Sequence, residues 1–501
     1  MNPSDHAKSP SERRGPMLPR WDGAAVEAAF ESAAQSKRWT LGYRSAPADD
    51  LSTEQLTLSG SLPRSLLGTF YRNGPSRHGR GGHRYGHRWD GDGMVQAFDF
   101  NGVNVSHKGS FVRTRKWVQE GAAGRLLFNA FGTRLPGTEA VPVSLDDWNP
   151  ANISVLRVAD ELLALWEPGS AYVLDPHTLQ TIGIKTWSES LVGVPFSAHP
   201  RREPDGTVWN FGVDPLNGAL YLFHISPAGQ LLQHRVLNVK DLPPVHDFAV
   251  TSRHLVIALS SMSVVKERLD AGQSFAESCA WRPDLVMRVL VIDKIDFRTL
   301  TYELPAGCLF HIGNAWEDDS GVIRFDMMRS DDPRPLLCGW SIMRGEYRHT
   351  GSAVLALAEL KPHGIATLAV KTGFEGEFPV VDPSAVGRRY EKILCVARST
   401  DRAPDVVGYD EVAMFDMETH DVDRYRYGAD WLVEEHLLVP DSTDPAGAAR
   451  WVIGTALDLA EKQTALSVFD ARSLASGPVA QARLPYVLPL GLHGRFEPRR
   501  Q

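Results

Sequence analysis

The chain has 501 residues, 43% hydrophobic and 23% charged, with a formal net charge of −8. It is too long for one simple core, too acidic for bulk attraction to nucleic acid, and has no run approaching the ~18 apolar residues of a membrane-spanning helix. Its four cysteines, Cys279, Cys308, Cys338 and Cys395, form no CxxC pair, so neither a disulfide framework nor a zinc site is expected, and a reducing, cytoplasmic setting suits them.

In chain order, the first twenty residues, MNPSDHAKSPSERRGPMLPR, are polar, lack the apolar stretch of a signal peptide, and read as a disordered lead. Residues 21–501 show no internal linker and read as one domain. Val26, Phe30 and Ala33 fall at helical spacing and predict a helix from Trp21 to Trp39. A second helical stretch is expected over Arg115–Phe131, where Trp117, Val118, Leu126, Leu127 and Phe131 break the alternation. The block WDGDGMVQAF, Trp89 to Phe98, reads as a tight turn between two strands. There Asp90 and Asp92 would bond local amides, and Gly91 and Gly93 would supply positive φ. A second metal site at these carboxylates is the sharper alternative.

Most of the remainder reads as short β-rich runs punctuated by Gly, Asn-Gly and Asp-Pro. One pattern, a strand followed by Asp, then Thr or Ser with Leu, then another strand, recurs at LDPHTLQTIG, IDKIDFRTLTYEL and FDARSLASGPVAQARLP. Repetition over about 400 residues without alternating helices disfavours a parallel α/β sheet. An all-β fold, a β-propeller of radially repeated antiparallel sheets, accommodates so many strands without long exposed edges.

Of seventeen histidines, four stand at strand ends beside Pro, Gly or Asp. His199 lies in FSAHPRREP, His246 in PPVHDFAV, His311 in LFHIGNAWED and His493 in LPLGLHGRF. Imidazole suits iron, zinc or copper, so residue type does not choose the metal. Nor is there an HExxH or other local ligand spacing. GxSxG, GxGxxG and phosphate-loop motifs are absent too.

The segments GTFYRNGP, RYGHRWDGDGMVQAFDF, LLALWEPGSAYVLDPHTLQTIG, SAHP, VHDFAVT, FHIGNAWED, GEFPVVD and LGLHGRF occur in that order between Leu56 and Phe496. Together they resemble the carotenoid cleavage oxygenase family, which includes carotenoid, apocarotenoid and stilbene dioxygenases and the retinoid isomerase of the eye. The resemblance implies a seven-bladed propeller, a dome of helices and loops over an axial Fe(II), and His199, His246, His311 and His493 as its ligands. Three glutamates would orient three of those histidines: Glu167, Glu377, and Glu435 or its neighbour Glu434. His436 replaces the family's usual proline after the third, and DSTDPAGAARW replaces its acidic turn.

The implied reaction is O2-dependent cleavage of a C=C bond in a carotenoid or apocarotenoid, giving two carbonyl products, with no organic cofactor and no nucleic-acid partner. Candidate tunnel-lining aromatics are Phe196, Phe310, Trp316, Trp166 and Phe111. The apolar stretch WVQEGAAGRLLFNAFG reads either as a tunnel mouth touching lipid, a peripheral membrane contact, or as a dome helix packed on the propeller. A stilbenoid substrate is the first alternative. It calls for a lysine before the first glutamate and a tyrosine in the SFVRT strand, where this chain has Trp166 and Phe111. Retinoid-type isomerohydrolysis and a non-enzymatic scaffold are the others.

Overall fold

The computed structural model describes residues 21–137, 144–444 and 448–499; the expected N-terminal lead, 1–20, lies outside them. The described chain is a seven-bladed β-propeller. Blade 1 is built on Leu67–Arg72, Asp92–Asn101 and Val105–Phe111, with Asp50–Thr53 at its outer edge. Blade 2 runs from Ser154–Val158 out to Thr181–Ile184, blade 3 from Arg201–Arg202 to Leu231–Asn238, and blade 4 from Ala249–Val250 to Thr299–Leu304. The long strand Ile365–Val380 belongs to two blades. Its first part pairs with Val354–Lys361 and completes blade 5, and its last part pairs with Lys392–Ala397 and opens blade 6. Blade 7 runs from Trp431–Pro440 to Ala480–Arg483.

The ring closes by an exchange of termini. Gly494–Pro498 adds to blade 1 by antiparallel pairing with Leu67–Arg72, and Thr57–Gly60 adds to blade 7 beside Ala480–Arg483. An apolar cluster fills every junction. Val95 and Leu162 share the one between blades 1 and 2, Leu163 and Phe223 the next, and Phe211 and Ile257 that between blades 3 and 4. Val289 with Phe325, Leu355 with Phe415, and Val412 with Phe469 carry the ring round to blade 7, where Ile453 meets Phe98 of blade 1. Each blade is therefore buried on both faces. That is why strands such as MRVLVID and KILCVA lack clean alternation.

The recurring Asp pattern forms the hairpin between the third and fourth strands of a blade. Asp175 and Asp293 each accept the N–H groups two and three residues on, and Asp416 does the same in blade 6. Four residues after each Asp the chain takes a left-handed turn, at Leu179, Phe297 and His420. The carboxylate organises the loop that lets those residues reach φ of 60–65°.

Both expected helices are shorter than their patterns suggested. The first is Gly23–Ala34, capped by the Asp22 carboxylate, and a 3-10 turn, Arg38–Tyr43, replaces the rest. The second is Arg115–Ala123, capped by the Thr114 hydroxyl and ended by Gly124 in the left-handed region. Beyond it the chain is irregular because the Glu120 carboxylate captures the N–H groups of Leu127 and Phe128. In this segment Leu126 and Phe128 are buried and Val118 is exposed. Among the described residues no helix is long and apolar enough to cross a membrane.

The WDGDG block differs from its sequence reading. Gly91 and Gly93 do not have positive φ; they are needed for close approach, since a Cβ on Gly93 would lie 2.2 Å from the Ala151 carbonyl oxygen. Asp90 accepts from the amides of His87 and Gly132 and from the Thr133 hydroxyl. Asp92 pairs with Lys116 at 2.6 Å and Arg80 at 3.0 Å, so this carboxylate is neutralised by cations, which leaves little for a second metal to do.

Candidate metal centre

The innermost strands all run in the same sense, so the residue entering each one arrives at the same end of the ring. His199 precedes Arg201–Arg202 of blade 3, and His246 precedes Ala249–Val250 of blade 4. His311 interrupts the inner edge of blade 5 between Cys308–Leu309 and Ala315–Glu317. His493 directly precedes the closing strand Gly494–Pro498. Four blades thus deliver one histidine each. The other three deliver the glutamates: Glu167 follows Glu161–Leu165 of blade 2, Glu377 lies in Ile365–Val380, and Glu435 in Trp431–Pro440.

The four rings converge, with one ligand atom from each lying within 4.8 Å of all the others. Nε2 of His199 is 3.0 Å from that of His246, which is 3.2 Å from that of His311, itself 3.2 Å from that of His493. Nitrogens about 2.1 Å from a shared centre stand about 3.0 Å apart at right angles and about 3.4 Å apart at tetrahedral angles. The observed spacings run from the right-angle value to midway between the two, close enough for all four nitrogens to share one ion.

The glutamates show why these nitrogens need a cation. The Nδ1–H of His246 donates to Glu167, that of His311 to Glu377 at 2.5 Å, and that of His493 to Glu435 at 2.9 Å. Each such bond fixes the proton on Nδ1 and leaves Nε2 as a lone pair aimed at the centre. Lone pairs facing one another at 3.0–3.2 Å repel unless a positive ion lies between them. Burial, with the neighbouring imidazoles, holds His199 and His311 well below the ordinary histidine range, as neutral ligands. On His246 burial works the same way, but the Glu167 carboxylate outweighs it and raises the pKa. Burial also pushes Glu377 up to about 7, a direction that a nearby divalent cation would reverse.

Glu435, not Glu434, faces His493. A register shift between Val433 and His436 places two glutamates where the alternation allows one inward residue. Glu435 turns to His493 and accepts the Gly494 N–H at 2.6 Å. Glu434 turns the other way, to Arg72 and the Thr455 hydroxyl. His436 is buried between the Tyr427 hydroxyl and the Glu434 carbonyl.

His199 has no glutamate, and its Nδ1 lies 3.9 Å from Asp247. That carboxylate belongs to a clasp that motif reading missed. Arg201 Nη2 reaches both oxygens of Asp247 at 2.7 Å, and its guanidinium also donates to the carbonyls of Phe248, Ile312 and Gly313. Asp247 in turn accepts the Ile312 N–H at 2.8 Å. Arg201, Asp247 and Ile312 lie within two residues of His199, His246 and His311, so one ion pair ties three ligand loops together. The sequence signal was a charged residue near two of the ligands, Arg201 after His199 and Asp247 after His246, whereas Ile312 contributes only its backbone. Asn73 of the RNGP motif does the corresponding work for His493: its N–H donates to the His493 carbonyl at 2.9 Å, and its side chain donates to the carbonyls of Ala151 and Ser154.

Above the histidines lies a cavity of about 290 Å³. Trp89, Phe131, Trp166, Phe275, Phe310 and Phe378 all line it. Phe378 lies 5.2 Å from the His311 ring, nearly parallel to it. Trp166 and Phe310 were expected here, whereas Phe196, Trp316 and Phe111 are core residues instead. Cys279, Cys308 and Cys338, distant in sequence, reach the cavity wall.

A profile of the family described as RPE65, retinal pigment epithelial membrane protein, matches residues 45–498. The chain belongs to this family, that of the carotenoid oxygenases. It is 28% identical over 480 residues to the apocarotenoid-15,15'-oxygenase of Synechocystis, covering 91% of this chain and 96% of that one. It is 27% identical over 474 residues to lignostilbene-alpha,beta-dioxygenase isozyme III of Sphingomonas paucimobilis, covering 88% and 93%. The structure of cobalt-substituted Synechocystis apocarotenoid oxygenase superposes with a TM-score of 0.83 at 25% identity, covering 92% of this chain and 98% of that one.

Proposed function

We propose that this carotenoid oxygenase holds Fe(II) on His199, His246, His311 and His493 and cleaves a C=C bond of a carotenoid or apocarotenoid with O2. The convergence of four imidazoles, three of them fixed by glutamates, carries this reading. Bound there, iron(II) supplies the redox chemistry that lets O2 react with an electron-rich double bond, one oxygen atom passing to each of two carbonyl products. The chain does the rest by positioning. Glu167, Glu377 and Glu435 keep the Nδ1 protons in place and strengthen the imidazoles as donors. Phe310 and Phe378, packed on the rings of His246 and His311, give the polyene an apolar surface and exclude water from it. The aromatic walls orient a conjugated chain so that one double bond lies over the donor set.

The stilbenoid alternative finds no lysine among the residues lining the cavity, and Trp166 occupies the place before Glu167. The test is an assay of iron-loaded protein on a panel of carotenoids, apocarotenoids and stilbenoids under oxygen-18, read by product mass. Two labelled carbonyl products from a carotenoid or apocarotenoid are expected. Turnover of stilbenoids alone, or unlabelled products, would overturn the assignment. Iron analysis adds a check on the site: His311→Ala should lose the metal, and full loading of that variant would remove His311 from the ligand set.

A further inference from the structure

One wall of the cavity is not apolar. Arg88, between His87 and the cavity aromatic Trp89, lines it together with Tyr43, Tyr347 and Tyr409. Its guanidinium is permanently charged. Among the described residues no carboxylate pairs with it, and its Nε has no hydrogen-bond partner. The acidic groups on the same cavity wall bond to other partners, and only Glu377 is near enough for its charge to be felt at Arg88, without direct contact. Glu167 and Glu377 accept from His246 and His311, and Glu434 pairs with Arg72.

The polar neighbours cannot supply the missing negative charge. Burial holds the hydroxyls of Tyr43 and Tyr409 above the ordinary tyrosine range, and pushes Tyr347 up to about 12. Burial likewise raises the Cys338 thiol. At neutral pH these groups are neutral donors that surround a cation without balancing it. A buried guanidinium with no directly paired carboxylate is expensive unless the ligand completes the pair.

The place of this wall relative to the metal centre is set by ring contacts. The Phe310 ring lies 5.4 Å from that of His246, the Trp89 ring 5.4 Å from Phe310, and the Arg88 guanidinium 5.0 Å from Trp89. A conjugated chain packed along Phe310 and Trp89 therefore touches the histidine side and the Arg88 guanidinium together.

We propose that Arg88, with the hydroxyls of Tyr43, Tyr347 and Tyr409, binds a carboxylate at one end of the substrate, so that the enzyme acts on an acidic polyene and selects the scissile bond by its distance from that carboxylate. This deepens the proposed function and rests on it for turnover, but not for binding. A carboxylate neutralises the guanidinium through two parallel N–H bonds. An aldehyde accepts hydrogen bonds without neutralising it. A phenol, with a pKa of about 10, stays protonated at neutral pH and leaves the charge unbalanced.

The test uses an acid, an aldehyde and a hydrocarbon-ended polyene of equal conjugated length, with wild type, Arg88→Leu and Tyr409→Phe. Binding is read first, by quenching of tryptophan fluorescence in the cobalt-loaded protein. Wild type should bind the acid at least tenfold more tightly than the aldehyde. Arg88→Leu should lose that preference while keeping its affinity for the hydrocarbon-ended compound, and Tyr409→Phe should reduce the preference less. Turnover of the iron-loaded protein is the second readout. Acids lengthened at the far end should yield the same carboxylate-bearing fragment in wild type and mixed fragments in Arg88→Leu. Equal binding of acid and aldehyde by wild type, equal losses on all three compounds in Arg88→Leu, or tighter binding of a phenolic stilbene than of the acid would overturn the proposal. Acid-selective binding without cleavage of any polyene would keep the Arg88 assignment and refute the proposed reaction.

Discussion

The two sides of the histidine ring are built differently. His199, His246 and His311 enter from consecutive blades, and the Arg201–Asp247 pair binds their loops directly to one another. His493 comes from the other end of the chain. It reaches the centre because Gly494–Pro498 closes blade 1 and because Asn73 holds its carbonyl. Three ligands are thus set by loops neighbouring one another in the ring, and the fourth is set by closure of the ring. Metal binding should therefore report on closure, and closure on metal binding. The largest test is a chain ended after Leu492. It loses the fourth ligand together with the strand whose five residues pair with Gly68–Arg72, and exposes the inner edge of blade 1. Set against a total stability of roughly 5–15 kcal/mol, this should abolish cooperative thermal unfolding and leave no bound iron. A truncated chain that still melts sharply and loads metal would show that closure is dispensable.

The clasp on the other side is the next largest effect. Asp247→Ala would strand a largely buried guanidinium and the amides of Phe248 and Ile312. The expected cost is about 3–5 kcal/mol, read as a lower urea midpoint. Three ligand loops loosen together, so iron per chain should fall in parallel with stability. His493→Ala, by contrast, should weaken metal binding with little effect on the metal-free urea midpoint. If both variants lowered metal binding and stability in the same ratio, the two sides would not differ as described.

The glutamates give a smaller effect, confined to the ligands. Glu377→Gln replaces a charged acceptor of the His311 Nδ1–H with a neutral one. A loss of 10–100-fold in metal affinity is expected, the range for partners of metal-bound histidines. His199, which has no glutamate, provides the contrast. If Glu377→Gln left affinity unchanged, the hydrogen bond at 2.5 Å would be a packing contact only.

These features were not equally legible in the sequence. The Asp-led hairpins could be read because an Asp side chain and the two amides after it form a local unit, needing no knowledge of the fold. The ligand histidines were found through their surrounding segments, since no spacing links residues that converge only when seven blades close. Glu434 and Glu435 stayed ambiguous because a strand's alternation predicts one inward residue, and only the bulge shows which of two it is. Phe196 and Trp316 stand near ligands in the chain yet pack between blades, because the loops that carry the ligands turn between these aromatics and the histidines. The cavity walls were the least legible part. Phe131 and Tyr347 come from irregular segments and Phe275 from a four-residue helix too short to carry a period, and Arg88 lies inside a motif whose glycines and aspartates drew the reading toward turn chemistry.

The smallest effect separates the two sides most cleanly. Asn73→Ala removes donors to the Ala151 and Ser154 carbonyls and the acceptor for the Gly74 amide, all buried. It leaves the backbone bonds to Leu492 and His493 in place. Unsatisfied buried groups of this kind cost about 1–3 kcal/mol, which should appear as a modest fall in melting temperature. Because the clasp at Arg201 is untouched, three imidazoles should keep their mutual positions while His493 gains freedom. Cobalt(II) spectra can read that directly. The variant should bind cobalt with bands shifted toward a three-nitrogen environment, whereas Asp247→Ala should bind little cobalt at all. A wild-type spectrum with Asn73→Ala would mean that strand pairing alone positions His493, and would assign the RNGP asparagine to the junction of blades 1 and 2 rather than to the metal centre.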